Sequence, residues 1–486
     1  MKAKFTTANM AALNGALNSN YALTDVTIES EEINKNVSKA LSPDAQAGTI
    51  GYNVDPSTML GQFTTPLRVE LLDADIKRLT FGPEQFVFFN KLTKLPSAGT
   101  VQQYLTYDRH GEIGHSMAVG EGQIAKISAQ QYSRHTVNMK YLSTSRQVTF
   151  QAGMTASVLD PIQGATDDAI TSLAAEIEWM SFYGDKSLSK DNVEGNEFDG
   201  LRKQIPAENV IDLKGAPLQE ADINKAAVLI SKAYGYPTDA FLPIGAKTLL
   251  VNNLLERQRL LNTSAPQDAT IGFNAPRMAT PAGVVSLNGS SLMENYNILD
   301  ENDPYVSGID PKVVATIDTN ATNGQFADTD VHALVYKVVS VSGDKHSQAI
   351  EADVQLDNKT HAVNLAVTIP QAFDAPVEYV RVFRQASESG LFYEIGKVTA
   401  ANAVDGVVTF VDTNAEIPGT VDAYVGQMTS DVIGLYQMLP IMRFQLATLA
   451  ASHNWSFLWF GALVLFNAHR WVRIKNIATI QVKPQR

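Results

Sequence analysis

Between Val313 and Asp412 the chain is cut into seven short stretches of β-type residues, and this cassette constrains the fold more than any other feature. The stretches are Val313–Asp318, Leu334–Val341, Ala349–Leu356, Val363–Ile369, Val377–Arg384, Leu391–Val398 and Val407–Asp412. In the third, Ile350, Ala352, Val354 and Leu356 alternate with Glu351, Asp353 and Gln355. A period of two sends the first set to a buried face and the second to water. Turn residues separate the stretches, among them Ser342-Gly343-Asp344-Lys345 and Asp405-Gly406. Short strands this closely spaced predict a β-sandwich. A sandwich set into a larger fold binds or decorates more often than it catalyses, so function is expected in what the surrounding chain builds.

The chain has 486 residues, enough for two or three domains. Its net charge is −13 and its Lys and Arg are not massed in one block, which argues against global attraction to nucleic acid or an anionic membrane. It has no cysteine, so disulfides, thiolate metal sites and Cys nucleophiles are excluded. Met1–Tyr21 is polar and lacks the apolar core of a secretory signal. The longest apolar run, Trp455–Phe466, is twelve residues, short of the ~20 a membrane span needs. The expectation is a soluble intracellular product with no membrane partner.

Met1 to about Thr65 reads as an extended arm, a removable segment or a set of short helices. Leu71, Leu72, Ile76 and Leu79 have helical spacing, and Phe86–Lys91 reads as a compact apolar strand. Val101–Thr106 and Thr136–Thr149 are strand-like flanks of a polar, Gly-rich excursion that contains Arg109-His110-Gly111-Glu112-Ile113-Gly114-His115-Ser116 and Gly120-Glu121-Gly122. Such an excursion buries little by itself and should lie on something else, such as a neighbouring subunit. A helix is expected from an N-cap at Thr166 to a stop at Gly184, with Ile170, Leu173, Ala174, Ile177 and Met180 as its stripe; this is a rod of about 25 Å. Further helices are expected over Glu220–Tyr234 and after Pro243. Beyond the cassette, Val425–Ala450 reads as buried helix, Trp455–Phe466 as buried strand and Trp471–Val482 as an alternating strand. The cassette looks inserted, with its ends near Asp310 and Thr420.

Candidate chemistry is weak. Gly120-Glu121-Gly122-Gln123-Ile124-Ala125 fits G-x-G-x-x-A but has neither the strand before it nor the helix behind it that dinucleotide binding requires. His110 and His115 are five apart in a loop, the wrong spacing for a helical ligand pair, and hydrogen bonding at a subunit contact is the better reading. No G-x-S-x-G elbow is present, and Gly245-Ala246-Lys247-Thr248 lacks the Gly-Lys step of a phosphate loop. Trp455, Trp459 and Trp471 fall among core residues and read as packing rather than base stacking. Arg470, Arg473 and Lys475 are expected in salt bridges between subunits. No catalytic residue, cofactor or metal is expected.

Several segments, in order, resemble the major capsid proteins of large contractile-tailed bacteriophages. They are Tyr107-Asp108-Arg109-His110-Gly111 with Gly114-His115-Ser116, then Ile177-Glu178-Trp179-Met180-Ser181-Phe182-Tyr183-Gly184-Asp185. Glu197-Phe198-Asp199-Gly200-Leu201, Leu242-Pro243-Ile244-Gly245, Leu458-Trp459-Phe460-Gly461-Ala462-Leu463 and Trp471-Val472-Arg473-Ile474-Lys475-Asn476 follow. The resemblance runs from about Leu41 to the C-terminus, and the residues before it depart from the family pattern.

The resemblance implies an α+β chain of the Hong-Kong-97-type capsid fold carrying an inserted immunoglobulin-like or fibronectin-like sandwich. The implied divisions are an N-terminal arm (1–65), the start of a peripheral domain (66–94), an extended loop (95–150) and a spine helix (151–197). An axial domain (198–309), the sandwich (310–420), an axial return (421–454) and peripheral C-terminal strands (455–486) complete it. The implied function is self-assembly, as hexamers and pentamers, into an icosahedral head around double-stranded DNA that is contacted weakly. Portal, scaffold and candidate decoration proteins are the other implied partners, with assembly in the host cytoplasm and residence in the virion. Arg109, His110, Glu112, His115, Glu121, Arg134 and Arg146 are the candidate contacts between subunits. The rival readings are a tail tube or sheath protein, a sandwich-bearing adhesin or carbohydrate-binding protein, and a hydrolase hidden in the α/β part.

Overall fold

The computed structural model describes residues 85–109, 118–124, 131–154, 160–189, 191, 194–255, 276–295, 297–300, 305–327, 333–343, 345–370, 376–387, 389–447 and 451–480. The expected arm, the Leu67–Leu79 helix, and His110, Glu112 and His115 lie outside these residues. The described chain is mixed α+β with mostly strands. The strands preceding the cassette are β1 (Lys94–Pro96), β2 (Val101–Arg109), β3 (Gln131–Asn138), β4 (Lys140–Thr149), β5 (Val210–Asp212), β6 (Asp239–Pro243), β7 (Arg277–Thr280) and β8 (Gly283–Ser290). Within the cassette lie β9 (Lys312–Asp318), β10 (Ala333–Ser342), β11 (Lys345–His346), β12 (Ile350–Gln355), β13 (Ala362–Thr368), β14 (Tyr379–Gln385), β15 (Phe392–Thr399) and β16 (Val407–Asp412). β17 (Thr420–Gly426), β18 (Ile433–Gln445), β19 (Ser452–Leu465) and β20 (Trp471–Ala478) follow.

The long helix runs Pro161–Tyr183, about 34 Å at 1.5 Å per residue. It starts earlier than expected because Asp160 is the cap, accepting the Ile162 N–H at 2.9 Å, and Pro161 fills a position where the missing N–H costs nothing. Thr166 lies inside, its hydroxyl bonded to the Ile162 carbonyl at 2.7 Å. Ala169, Leu173, Ile177 and Met180 form the buried stripe. The helix stops at Gly184, whose amide closes on Met180. A Cβ there would sit 2.3 Å from the Phe198 carbonyl, so the chain crosses itself at a point only glycine permits.

This helix packs against a four-stranded sheet of order β1-β18-β19-β4. Their shared core holds Phe88, Ile177, Phe182, Trp455, Trp459 and Trp471, all fully buried. Phe86–Lys91, expected as a strand, is instead the helix Val87–Lys91. A short apolar run does not declare its period, and here the buried Glu178 carboxylate at the helix start, bonded to the Phe89 N–H at 3.4 Å, favours the helical form. Within Val425–Ala450, expected as helix, the described residues hold the end of β17 and the whole of β18 and no helix. Pro440 is tolerated in β18 because it falls where the β18–β19 register slips, between Leu439 and Met442.

A second, six-stranded sheet has the order β5-β20-β17-β6-β8-β7. Its central strands are buried on both faces, so β20 shows near-continuous burial rather than alternation. The helix Glu220–Lys232 covers it with Ile223, Ala226 and Ile230, and the helix Ile244–Leu255 adds Ala246 and Leu250.

All seven cassette strands form, with the two-residue β11 in addition. They make two sheets, β11-β10-β14-β15 with β12 also on β10, and β16-β13-β9. The sheets share one core of Tyr336, Val338, Val363, Leu365, Val380 and Val382. Asp405 and Gly406 both have positive φ, 53° and 77°, in a two-residue turn closed by Val404 and Val407.

Candidate functional site

Among the described residues, β2 and β3 pair only with each other, as a two-stranded ribbon whose register sets Leu105 across from Arg134 and Tyr107 across from Tyr132. Alternation leaves one face of the ribbon open. Leu105 and Tyr132 are 67% and 59% exposed, Val101 and Tyr107 are exposed beside them, and the Tyr107 and Tyr132 rings meet edge to face at 4.9 Å. The other face turns to the body. Tyr104 stacks on His135 at 5.2 Å and meets Phe466 edge-on at 5.0 Å, while the Thr106 hydroxyl lies 3.0 Å from His135 Nε2. The ribbon begins where the Met139 N–H donates to the Thr100 carbonyl at 2.8 Å. Lys140–Thr149, read as the return limb of the excursion, is β4 and belongs to the four-stranded sheet, paired with β19.

At the root, the Asn138 amide donates to Glu194 at 2.7 Å, and the Lys140 ammonium donates to the Gly195 carbonyl at 2.6 Å and contacts Glu194 at 3.3 Å. Asn138 first, and Lys140 with it, hold the Glu194 carboxyl below its ordinary range despite some burial.

The sequence-derived candidates divide. Arg109 ends β2, paired with Gln131; Arg134 lies exposed on β3; Glu121 sits in an exposed turn. Arg146 is on β4 rather than the ribbon and is engaged within the chain, with Asp168 of the long helix at 2.7 Å, Thr144 at 2.7 Å and Ser172 at 3.2 Å. The basic residues near the C-terminus also make bonds within the subunit. Arg473 is buried against Asp422 at 2.8 Å and Glu416 at 3.0 Å; Lys475 reaches Asp212 and the Ala415 carbonyl; Arg470 reaches Asp431. Burial pushes the Glu416 carboxyl up, but Arg202 and Arg473 outweigh it and hold the group low. In Gly245-Ala246-Lys247-Thr248, Lys247 donates to the Leu287 carbonyl at 3.0 Å, inside the fold.

The apolar residues of the site are not among the sequence-derived candidates, all of which are Arg, His or Glu. Beyond the ribbon, Met438, Met442, Phe444 and Leu446 are exposed along β18 and just past its end, and Tyr141 lies exposed against Phe460 on the same sheet. The signal was the alternation of Val101, Leu105 and Tyr107 with polar residues. Among the described residues, no three His, Asp or Glu side chains are placed to hold a metal ion, and no helix is long and apolar enough to cross a membrane. The arrangement is one of surfaces: a projecting ribbon with an apolar face, and a sheet with another.

No protein-family model matches the chain. It is 37% identical over 437 residues to the major capsid proteins of Staphylococcus phage K and Staphylococcus phage S25-3, covering 89% of this chain and 94% of each relative. It is 42% identical over 438 residues to a protein provisionally given the same name in Enterococcus phage phiEF24C, again covering 89% and 94%. Among solved structures it is similar to the capsid of the native GTA particle (TM-score 0.45, 7% identity, 87% of this chain and 99% of that one). It is also similar to the SrpI encapsulin of Synechococcus elongatus (TM-score 0.42, 8% identity, 89% and 99%).

Proposed function

This chain belongs to the phage major capsid proteins, and we propose on that premise that copies of it tile, as hexamers and pentamers, the icosahedral head that encloses double-stranded DNA. The observation that carries the reading is 37–42% identity to capsid proteins along 89% of the chain. The geometry supports assembly over turnover: the outstanding surfaces are apolar and projecting. The fold we assign is the Hong-Kong-97 type, with Pro161–Tyr183 as spine helix and residues 95–150 as extended loop, of which β2 and β3 form the ribbon. The six-stranded sheet forms the axial part, and the cassette is an immunoglobulin-like insertion spanning 310–420.

In this reading the open face of the ribbon lies on an adjacent subunit. Leu105, Tyr107 and Tyr132 supply the apolar contact and Arg134 its polar edge, and Arg109, His110, Glu112, His115 and Glu121 are further contacts proposed from the sequence. An apolar patch of this kind on an isolated subunit marks an interaction surface. Portal, scaffold and decoration proteins complete the assembly in the host cytoplasm, and the role requires no catalysis or cofactor. Negative-stain electron microscopy of the purified, overexpressed protein tests the proposal. Closed shells or hexameric capsomers are expected; a chain that stays monomeric even with its phage assembly partners would overturn it.

A further inference from the structure

The cassette and the ribbon share an intermediary. At the end of β15, Thr399 binds Ser189 twice: its hydroxyl accepts the Ser189 N–H at 3.0 Å and donates to the Ser189 carbonyl. That carbonyl also accepts the Ala401 N–H at 3.1 Å. Two residues before Thr399, the Lys397 ammonium lies 4.4 Å from the centre of the Trp179 ring on the long helix and 5.5 Å from that of Tyr379. A few residues beyond Ser189, Glu194 and Gly195 hold Asn138 and Lys140 at the ribbon's root.

The segment between these contacts is tied to itself. The Gly195 N–H donates to the Lys186 carbonyl at 2.8 Å, the Asp185 N–H to Glu197 at 3.1 Å and the Lys186 N–H to Asp199 at 3.0 Å. Its ends are clamped where the Gly200 N–H meets the Gly184 carbonyl at 2.9 Å. Leu188 is buried, and a Cβ on Gly195 would fall 1.9 Å from the Leu188 carbonyl, so backbone packs directly on backbone. A loop with this many internal ties moves as a unit, and such contiguous packed networks carry energetic coupling.

We propose that residues 184–189 and 194–200, bonded to one another, form a tie bar through which the inserted two-sheet domain sets the stance of the ribbon. The insertion is then a positioning element for the assembly contact as well as a displayed module. The inference rests on the capsid reading only for what the ribbon does; the coupling itself is a property of the single chain.

Amide hydrogen exchange on the full-length chain tests it. Thr399→Val combined with Lys397→Met removes the side-chain contacts at the cassette end of the tie and leaves one backbone bond, from the Ala401 N–H to the Ser189 carbonyl. Exchange in Gln131–Asn138 and Val101–Arg109 should then rise at least about fivefold, the lower end for coupled sites, while Ala362–Thr368 in the cassette core stays protected. Coupling is reciprocal, so Asn138→Ala at the exposed ribbon end should raise exchange in Phe392–Thr399. If the double variant opens the cassette core itself, the Asn138→Ala arm decides alone. Unchanged ribbon exchange with an intact cassette, or no response of Phe392–Thr399 to Asn138→Ala, overturns the tie bar. Neither readout depends on shell formation, so its failure is distinct from failure of the capsid reading.

Discussion

Two buried charged groups hold distant segments together at the scale of single residues. Arg384, 2% exposed in the cassette core, contacts Asp412 and Asn414 and lies over the Phe326 ring at 5.2 Å. Asp412 also accepts the Tyr336 hydroxyl at 3.0 Å and the Asn414 N–H at 2.8 Å. Removing one partner of a buried pair leaves the other desolvated and uncompensated. Asp412→Ala should therefore cost about 3–5 kcal/mol in urea denaturation followed on the cassette. Glu178 is the second group. Burial raises its carboxyl from 4.5 to about 7, against the opposing pull of the Phe89, Phe88 and Val87 amides. Between those values the folded chain holds a proton that the unfolded chain has released, so stability falls as pH rises through that window. The full effect above it is about 3 kcal/mol, from about 1.4 kcal/mol per pKa unit. Melting temperature against pH should show this slope in the native chain and lose it in Glu178→Gln; identical profiles would refute the assignment.

The element proposed to make the assembly contact is the ribbon, and its limits matter to any test. Excising residues 100–149 would remove β4 and with it the pairing of β19 along Ser452–Gly461. Excising 102–137 and closing with a tight turn keeps the Thr100–Met139 hydrogen bond and the four-stranded sheet. The shortened chain should fold, with a thermal transition close to that of the parent, because the ribbon buries little of its own surface. Electron microscopy should find no closed shells, and normal particles would remove the ribbon from the assembly contact. This distinction was not legible in the sequence, because Thr136–Thr149 is strand-like throughout and only Met139, buried where β3 passes into β4, marks the change of partner.

For the whole molecule, the net charge is −13, and Arg146, Arg470, Arg473 and Lys475 are engaged within the chain rather than offered to phosphates. Purified shells should bind duplex DNA weakly near physiological salt, with a shallow dependence of affinity on salt in mobility-shift titrations. A steep slope would refute weak contact with DNA.

The cassette was readable from sequence alone because a half-buried antiparallel strand writes its burial into a period of two, and Val363–Ile369 or Val407–Asp412 needs no distant residue to be recognised. The long helix was readable for the same reason, and the three core tryptophans by their apolar neighbours. Where both faces of an element are buried, as in β17 and the first four residues of β18, periodicity vanishes, and the exposed apolar residues along the rest of β18 left Val425–Ala450 unable to declare itself strand rather than helix. Phe86–Lys91 was settled by Glu178, some ninety residues away in sequence, and the partners of Arg473 by Glu416 and Asp422 on the chain returning from the cassette. Local patterning determines an element when solvent lies on one side of it; when protein lies on both, only the tertiary structure supplies the missing face.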